Sequence, residues 1–171
     1  RQLNETIVKE LKRSGCMTVG MGVEASDDYL LQEILKKRVT RDKILNVARM
    51  VKDNGIRLVT YSMLGLPASS LEKELETLKL NIEIRPDYAG STIYDPMPGT
   101  ELADIAKSMG LLNEKATDEM DGVHSVLTFK DVADKKKREN LSKLFPVAVE
   151  VPFRMPLVKF LISIPLTGMY S

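Results

Sequence analysis

One cysteine, Cys16, is all the thiol this chain has. That excludes an internal disulfide and any metal site built from several of the chain's own thiolates. A lone thiol also suits a reducing, cytoplasmic setting. The one histidine, His124, stands by itself in a polar stretch, where an imidazole is more often surface or scaffold than catalyst. Charge of one sign is missing too: 25 basic against 24 acidic residues leave a net charge of +1. The chain therefore has no overall electrostatic footprint for nucleic acid or an anionic membrane. Its five tyrosines and four phenylalanines lack the spacing of a base-stacking platform. No apolar run is long enough to span a bilayer. The longest uncharged stretch near the end, Phe160–Ser171, has 12 residues and carries Pro165, against the roughly 20 that a spanning helix needs. The opening residues Arg1–Gly15 are charged and helical in pattern, unlike a signal peptide. With 43% hydrophobic and 29% charged residues, the composition is that of an ordinary globular domain rather than a disordered chain.

What is present is a repeating order. Asn4 is placed to cap a first helix, with Leu3 and Val8 as its hydrophobic staple and Gly15 as its stop. The apolar run Cys16–Val23 then reads as a buried strand. Thr40 caps a second helix whose inward face is Ile44, Val47, Ala48 and Val51, closed by Gly55. Ile56–Met63 is a second strand, Leu64–Pro67 a turn, and Ser69 with Glu72 a capping box for a helix carrying Leu71, Leu75 and Leu78. Tyr88–Tyr94 is a third strand, and Thr100 caps a helix ending near Gly110. Strand and helix in alternation predict an α/β fold with a parallel sheet. Three parallel strands alone leave two open edges, so a larger sheet or barrel is expected. Beyond Gly110 the pattern changes. Residues 111–126 read as loop and Asp131–Leu144 as a charged helix. Phe145–Ile164 is apolar and interrupted by Pro146, Pro152 and Pro156, which predict short helices and turns. Residues 1–112 thus form one unit and 113–171 a loop and helical extension. The run Lys135–Arg138 lies between acids on that charged helix and reads as a solvated face.

In parallel α/β folds ligands bind beyond the carboxyl ends of the strands. Three features fall there: Glu24–Asp28, Tyr61–Pro67 and Asp95–Thr100. Two readings of the first stand side by side. Glu24 receives an ammonium group of a ligand, or Glu24, Asp27 and Asp28 cap the helix that follows.

Gly22-Val-Glu-Ala-Ser-Asp-Asp28, followed by Ile34–Lys37 and Thr40, resembles the fourth strand and its sequel in radical S-adenosylmethionine (SAM) enzymes. Tyr61-Ser-Met-Leu-Gly-Leu-Pro67 resembles their fifth strand and turn. Ile93–Leu102 and the closing Leu144–Val158 are similar to the subfamily that usually carries a cobalamin-binding domain. The resemblance implies a partial (β/α) TIM barrel, of which this chain is the later half. It places Glu24 at the methionyl part of SAM and Lys37, with Lys36 and Arg38 as neighbouring alternatives, at the SAM carboxylate. It places Tyr61 at the ribose and Met63, Leu64 and Pro96 around the adenine. Where the family often has Gly-Glu after the Leu-Pro, this chain has Ala68 and Ser69. The three-cysteine motif for a 4Fe–4S cluster does not occur here, nor does the Gly-Gly-Glu segment. The resemblance therefore implies cluster ligands outside this chain, possible use of cobalamin on a separate domain, and a small-molecule substrate. The missing partners are then the first half of the barrel and the cobalamin domain. The parent activity implied is reductive cleavage of SAM to a 5′-deoxyadenosyl radical, followed by methyl transfer or a rearrangement. The alternative is a non-catalytic α/β module that binds a protein partner through its sheet edge and apolar tail.

Overall fold

Side chains that start helices fix the frame. Asn4 Oδ1 accepts from Ile7 N–H at 2.9 Å and opens α1 (Glu5–Arg13). Thr40 caps α2 (Arg41–Asp53), and Thr100 caps α4 (Glu101–Ser108). For α3 (Leu71–Ile84) the cap is Ser70, which accepts from Lys73 N–H at 3.3 Å. The expected Ser69 box is therefore one residue out of place, because Ser69 still belongs to the preceding turn. The computed structural model describes residues 3–112, 121–129, 131–151 and 155–164.

β1 (Thr18–Glu24), β2 (Arg57–Leu64) and β3 (Tyr88–Ile93) form a parallel sheet in the order β1-β2-β3. In register, Gly22 lies opposite Tyr61, and Tyr61 opposite Gly90. One face of the sheet, carrying Val23, Leu58, Leu64, Ala89 and Ile93, is buried under helices. The other face, with Gly20, Gly22, Tyr61, Tyr88 and Thr92, is open. This is the expected α/β arrangement, a parallel sheet with helices packed on one face.

The buried face has two apolar clusters. The first joins Val8 of α1, Ile44, Ala48 and Val51 of α2, Val23 and Leu58 of the strands, and Leu30 and Leu31 of a π-helical turn (Leu30–Ile34). Leu102, Ile105 and Ala106 of α4 also pack there. The second cluster joins α3 and β3 to the C-terminal helices α5 (Val132–Glu150) and α6 (Met155–Ser163). So α5, not α4, covers β3: Leu141, Phe145 and Ala148 pack with Ala89 and Ile93. Of the apolar tail, Val158 and Ile162 are also buried, whereas Val147, Leu157 and Phe160 are exposed. Phe153 lies outside the described residues.

Pro146 was expected to end the charged helix, yet α5 runs through it. A proline deprives the carbonyl four residues back of its donor. That carbonyl belongs to Ser142, and the Ser91 hydroxyl of β3 donates to it at 3.2 Å. The bond that the helix loses is replaced by one to the sheet. Pro156 sits in the first turn of α6, where a missing N–H costs nothing. Among the described residues no helix is long and apolar enough to cross a membrane.

Candidate functional site

The carboxyl end of β1 is irregular. The pairing register shifts between Gly22 and Glu24, and Glu24 takes a left-handed φ of 59°. A non-glycine residue holds that conformation at a cost that its surroundings must offset. Here the Glu24 side chain folds back over Gly22, where a Cβ would stand 2.5 Å from Glu24 Oε1. A side chain at position 22 would have to displace that carboxylate. Glu24 Oε1 accepts from Lys37 Nζ at 2.6 Å, and neither group is fully buried (18% and 42% exposed).

The loop that brings Lys37 back is built by the neighbouring aspartates. Asp27 Oδ1 accepts from Leu30 N–H at 2.9 Å, and Asp28 Oδ1 from Arg41 N–H at 3.2 Å. Capping thus accounts for Asp27 and Asp28, whereas Glu24 caps nothing and faces Lys37. The π-helical turn follows, and Lys36 ends it with a φ of 51°. Lys36 itself points to Glu101, 4.0 Å away, and Arg38 is exposed. Of the three adjacent basic residues, Lys37 is the one that reaches Glu24.

On the open face, Tyr61 lies between two glycines. A Cβ on Gly20 would be 3.4 Å from its ring, and one on Gly90 would be 3.6 Å away. The ring is 54% exposed, as is that of Tyr88. Met63 stands on the same face and is half-buried. Leu64 points the other way, fully buried in the second cluster, and its carbonyl accepts from Tyr94 N–H at 2.8 Å. Pro96 is buried just beyond β3. The structure therefore gathers Glu24, Lys37, Tyr61 and Met63 at one open surface, while the Leu64 and Pro96 side chains are inside.

Three further groups at this end have no signal in the sequence pattern. Glu74, buried at the start of α3, accepts from Gly65 N–H at 2.9 Å and from Arg138 Nη1 at 2.6 Å. Burial pushes its carboxyl above the usual range, opposed by the Arg138 guanidinium. Arg138 is 3% exposed, so the expected solvated run Lys135–Arg138 ends in a buried charge. Its place one turn beyond Asp134, on the face turned to α3, is what buries it. Tyr94 is buried with no partner for its hydroxyl among the described residues, and burial next to Asp95 raises its pKa to about 12. Asp95 is likewise raised by burial, partly offset by the Gly122 N–H that donates to its Oδ2 at 2.8 Å. His124 is not alone after all: Asp121 accepts its backbone N–H and contacts Nδ1 at 2.7 Å. Those contacts hold the Asp121 carboxyl at a pKa of about 2.

An acid and a base paired over a bare patch of strand can exchange each other for a zwitterion, with ammonium to carboxylate and carboxylate to ammonium. The open, tyrosine-bearing sheet next to it offers an apolar and aromatic floor.

The family model for the radical SAM superfamily matches residues 2–80. The likeness to that superfamily covers 79 of the 171 residues. An uncharacterised methyltransferase of Pyrococcus horikoshii is 31% identical over 109 residues, covering 64% of this chain and 24% of that protein. The fold is similar to the radical SAM methyltransferase TsrM of Kitasatospora setae, solved with cobalamin and a 4Fe–4S cluster bound. The TM-score is 0.55 at 17% identity, over 64% of this chain and 21% of that one. Coproporphyrinogen III oxidase of Escherichia coli, a radical SAM enzyme, has a TM-score of 0.53 at 17% identity, over 82% of this chain and 36% of its own. The chain thus spans about a quarter of the curated relative it matches. The three-stranded sheet with its helices has the fold of a segment of the partial barrel in those two structures. SAM and a 4Fe–4S cluster are the cofactors of this superfamily. Among the described residues no group of three His, Cys, Asp or Glu side chains is placed to hold a metal ion. With one cysteine in the whole chain, its residues do not fit an iron–sulfur cluster.

Proposed function

We propose that this chain is the later half of a radical SAM barrel and supplies part of the SAM pocket. The observation that carries the proposal is the Glu24–Lys37 pair at the end of β1, 2.6 Å apart and lying over Gly22, whose lack of a side chain leaves the Glu24 carboxylate its place. The amino-acid end of SAM carries an ammonium and a carboxylate. Glu24 would take the first and Lys37 the second, each exchanging its present partner for one of equal charge, so no charge is left unpaired. Tyr61, whose ring lies against Gly20 and Gly90, would meet the ribose. Met63 would give apolar contact to the adenine. Leu64 and Pro96 would act through backbone and shape, since both side chains are buried.

The parent enzyme, on this reading, cleaves SAM reductively to a 5′-deoxyadenosyl radical. The cluster that supplies the electron is held by cysteines outside this chain, and such a cluster calls for the reducing cytoplasm. Methyl transfer to a small-molecule substrate is the reaction we favour, because the Pyrococcus relative is called a methyltransferase and TsrM is one. Cobalamin, bound to TsrM, would come from a separate domain, and no residue here is assigned to it.

Replacing Glu24 by Gln in the intact protein tests the proposal. It removes a charge-assisted hydrogen bond worth about 1.5–3 kcal/mol, so SAM affinity should fall about tenfold or more. The melting temperature should barely move, because a pair this open to solvent contributes at most about 1 kcal/mol. Unchanged affinity with a lowered melting temperature would assign Glu24 to folding instead.

A further inference from the structure

The turn after β2 has two residues in the left-handed region. Gly65 has a φ of 73° and Ala68 a φ of 61°. The glycine takes this freely, whereas the alanine does so at a cost that neighbouring contacts must offset. Capping by Ser70 begins only after the turn, so from α3 the turn is held through Glu74 rather than through the helix cap.

What grips it comes from 69 residues beyond Ser69 in the chain. Arg138 of α5 donates from Nη1 to Glu74 Oε1 at 2.6 Å, and the same oxygen accepts Gly65 N–H at 2.9 Å. Arg138 Nη2 also reaches the Ser69 carbonyl at 3.4 Å. One guanidinium therefore holds the first residue of the turn through Glu74 and the last one directly. The guanidinium is itself fixed: Asp134 Oδ2 accepts from its Nε at 2.9 Å, and the Phe129 ring lies 4.6 Å from it. Both partners are almost wholly buried, Glu74 at 2% and Arg138 at 3% exposure. A buried ion pair is a poor source of net stability, since an apolar pair of similar volume often does as well. Its directional forks are better suited to fixing a shape.

We infer that Arg138 and Glu74 are positioning residues that hold the Gly65–Ser69 turn in its SAM-binding shape, so that helix α5 sets SAM affinity. This rests on the SAM reading of the site. It makes the C-terminal helices part of the pocket's frame, although neither residue touches SAM.

The test is a SAM titration by calorimetry, with thermal unfolding in parallel, on the intact protein and three variants. Arg138→Met alone strands a buried carboxylate and should lower both affinity and melting temperature. The double variant Glu74→Gln with Arg138→Met keeps an acceptor for Gly65 N–H and leaves no buried charge. Its melting temperature should return close to wild type while SAM binding stays about tenfold weaker, the worth of the lost grip. Arg138→Lys keeps the charge next to Glu74 but loses the fork that reaches Ser69. It should fold normally and bind SAM about threefold more weakly. A merely structural pair would move affinity and melting temperature together. Wild-type SAM affinity in the folded double variant, or in Arg138→Lys if the double variant fails to fold, overturns the inference. If Glu24→Gln weakens SAM binding in that same series, the site reading survives alone. An intact wild-type protein that binds no SAM removes both.

Discussion

Supplied anaerobically with iron, sulfide and SAM, this chain by itself should release no 5′-deoxyadenosine above a no-protein control. The expectation follows from one number. Iron–sulfur clusters are held by several cysteine thiolates, and the chain has a single cysteine, Cys16, on the approach to β1 at the pole opposite Glu24. Among the described residues no carboxylate and imidazole cluster stands in for the missing thiolates. Glu24 and Lys37 would still offer a site for the amino-acid end of SAM, so weak SAM binding without cleavage is compatible with the account. Product above the control would mean that an electron reaches SAM by another route, and the proposed division of labour between this chain and the rest of the enzyme would be lost.

The second large effect is expected at Phe145. Its side chain is fully buried where α5 meets the sheet, packed with Leu64, Leu78, Ala89, Ile93 and Leu141. Truncating a buried phenylalanine to alanine removes transfer energy and leaves a cavity, together about 3–5 kcal/mol. Chemical denaturation of the intact protein should show Phe145→Ala destabilised by that amount. Protease cleavage after Lys143, slow in the wild type, should become fast, because α5 and α6 share this cluster. A loss below about 1 kcal/mol, the level of an ordinary surface change, would show that the tail is not docked as described.

Much of the fold was legible because its signals are local. The caps Asn4, Thr40 and Thr100 sit where short polar residues precede apolar periodicity, and each accepts the expected backbone N–H. The three strands are continuous apolar or β-branched runs, and their parallel pairing follows from the helices between them. What escaped depends on long-range pairing. Nothing near Pro146 says that Ser91, 51 residues before Ser142, will satisfy the carbonyl it orphans. Nothing in Lys135–Arg138 distinguishes its last member, whose burial depends on Glu74. That α5 rather than α4 covers β3 was hidden for the same reason. The strand–helix alternation makes α4 the natural third partner, but its apolar residues are taken up by the first cluster.

The candidate site was legible in a different way. Position at the carboxyl ends of the strands marked out Glu24 but left two roles open for it. The geometry divides those roles among neighbours: Asp27 and Asp28 cap, and Glu24 faces Lys37. The glycine that makes this possible, Gly22, was visible in the sequence only as a member of a motif. Its physical reason, the space into which Glu24 folds, belongs to the bulge in β1.

The central claim is that Glu24 and Lys37 hold the two charges at the amino-acid end of SAM. It is tested most directly by comparing SAM with decarboxylated SAM on the intact protein and on its Lys37→Met variant. If Lys37 meets the carboxylate, removing that group from the ligand should cost the wild type about tenfold in affinity. The variant, having already lost the interaction, should bind both ligands equally. A wild type and a variant that lose the same factor would contradict the assignment, and the carboxylate would then belong to another residue.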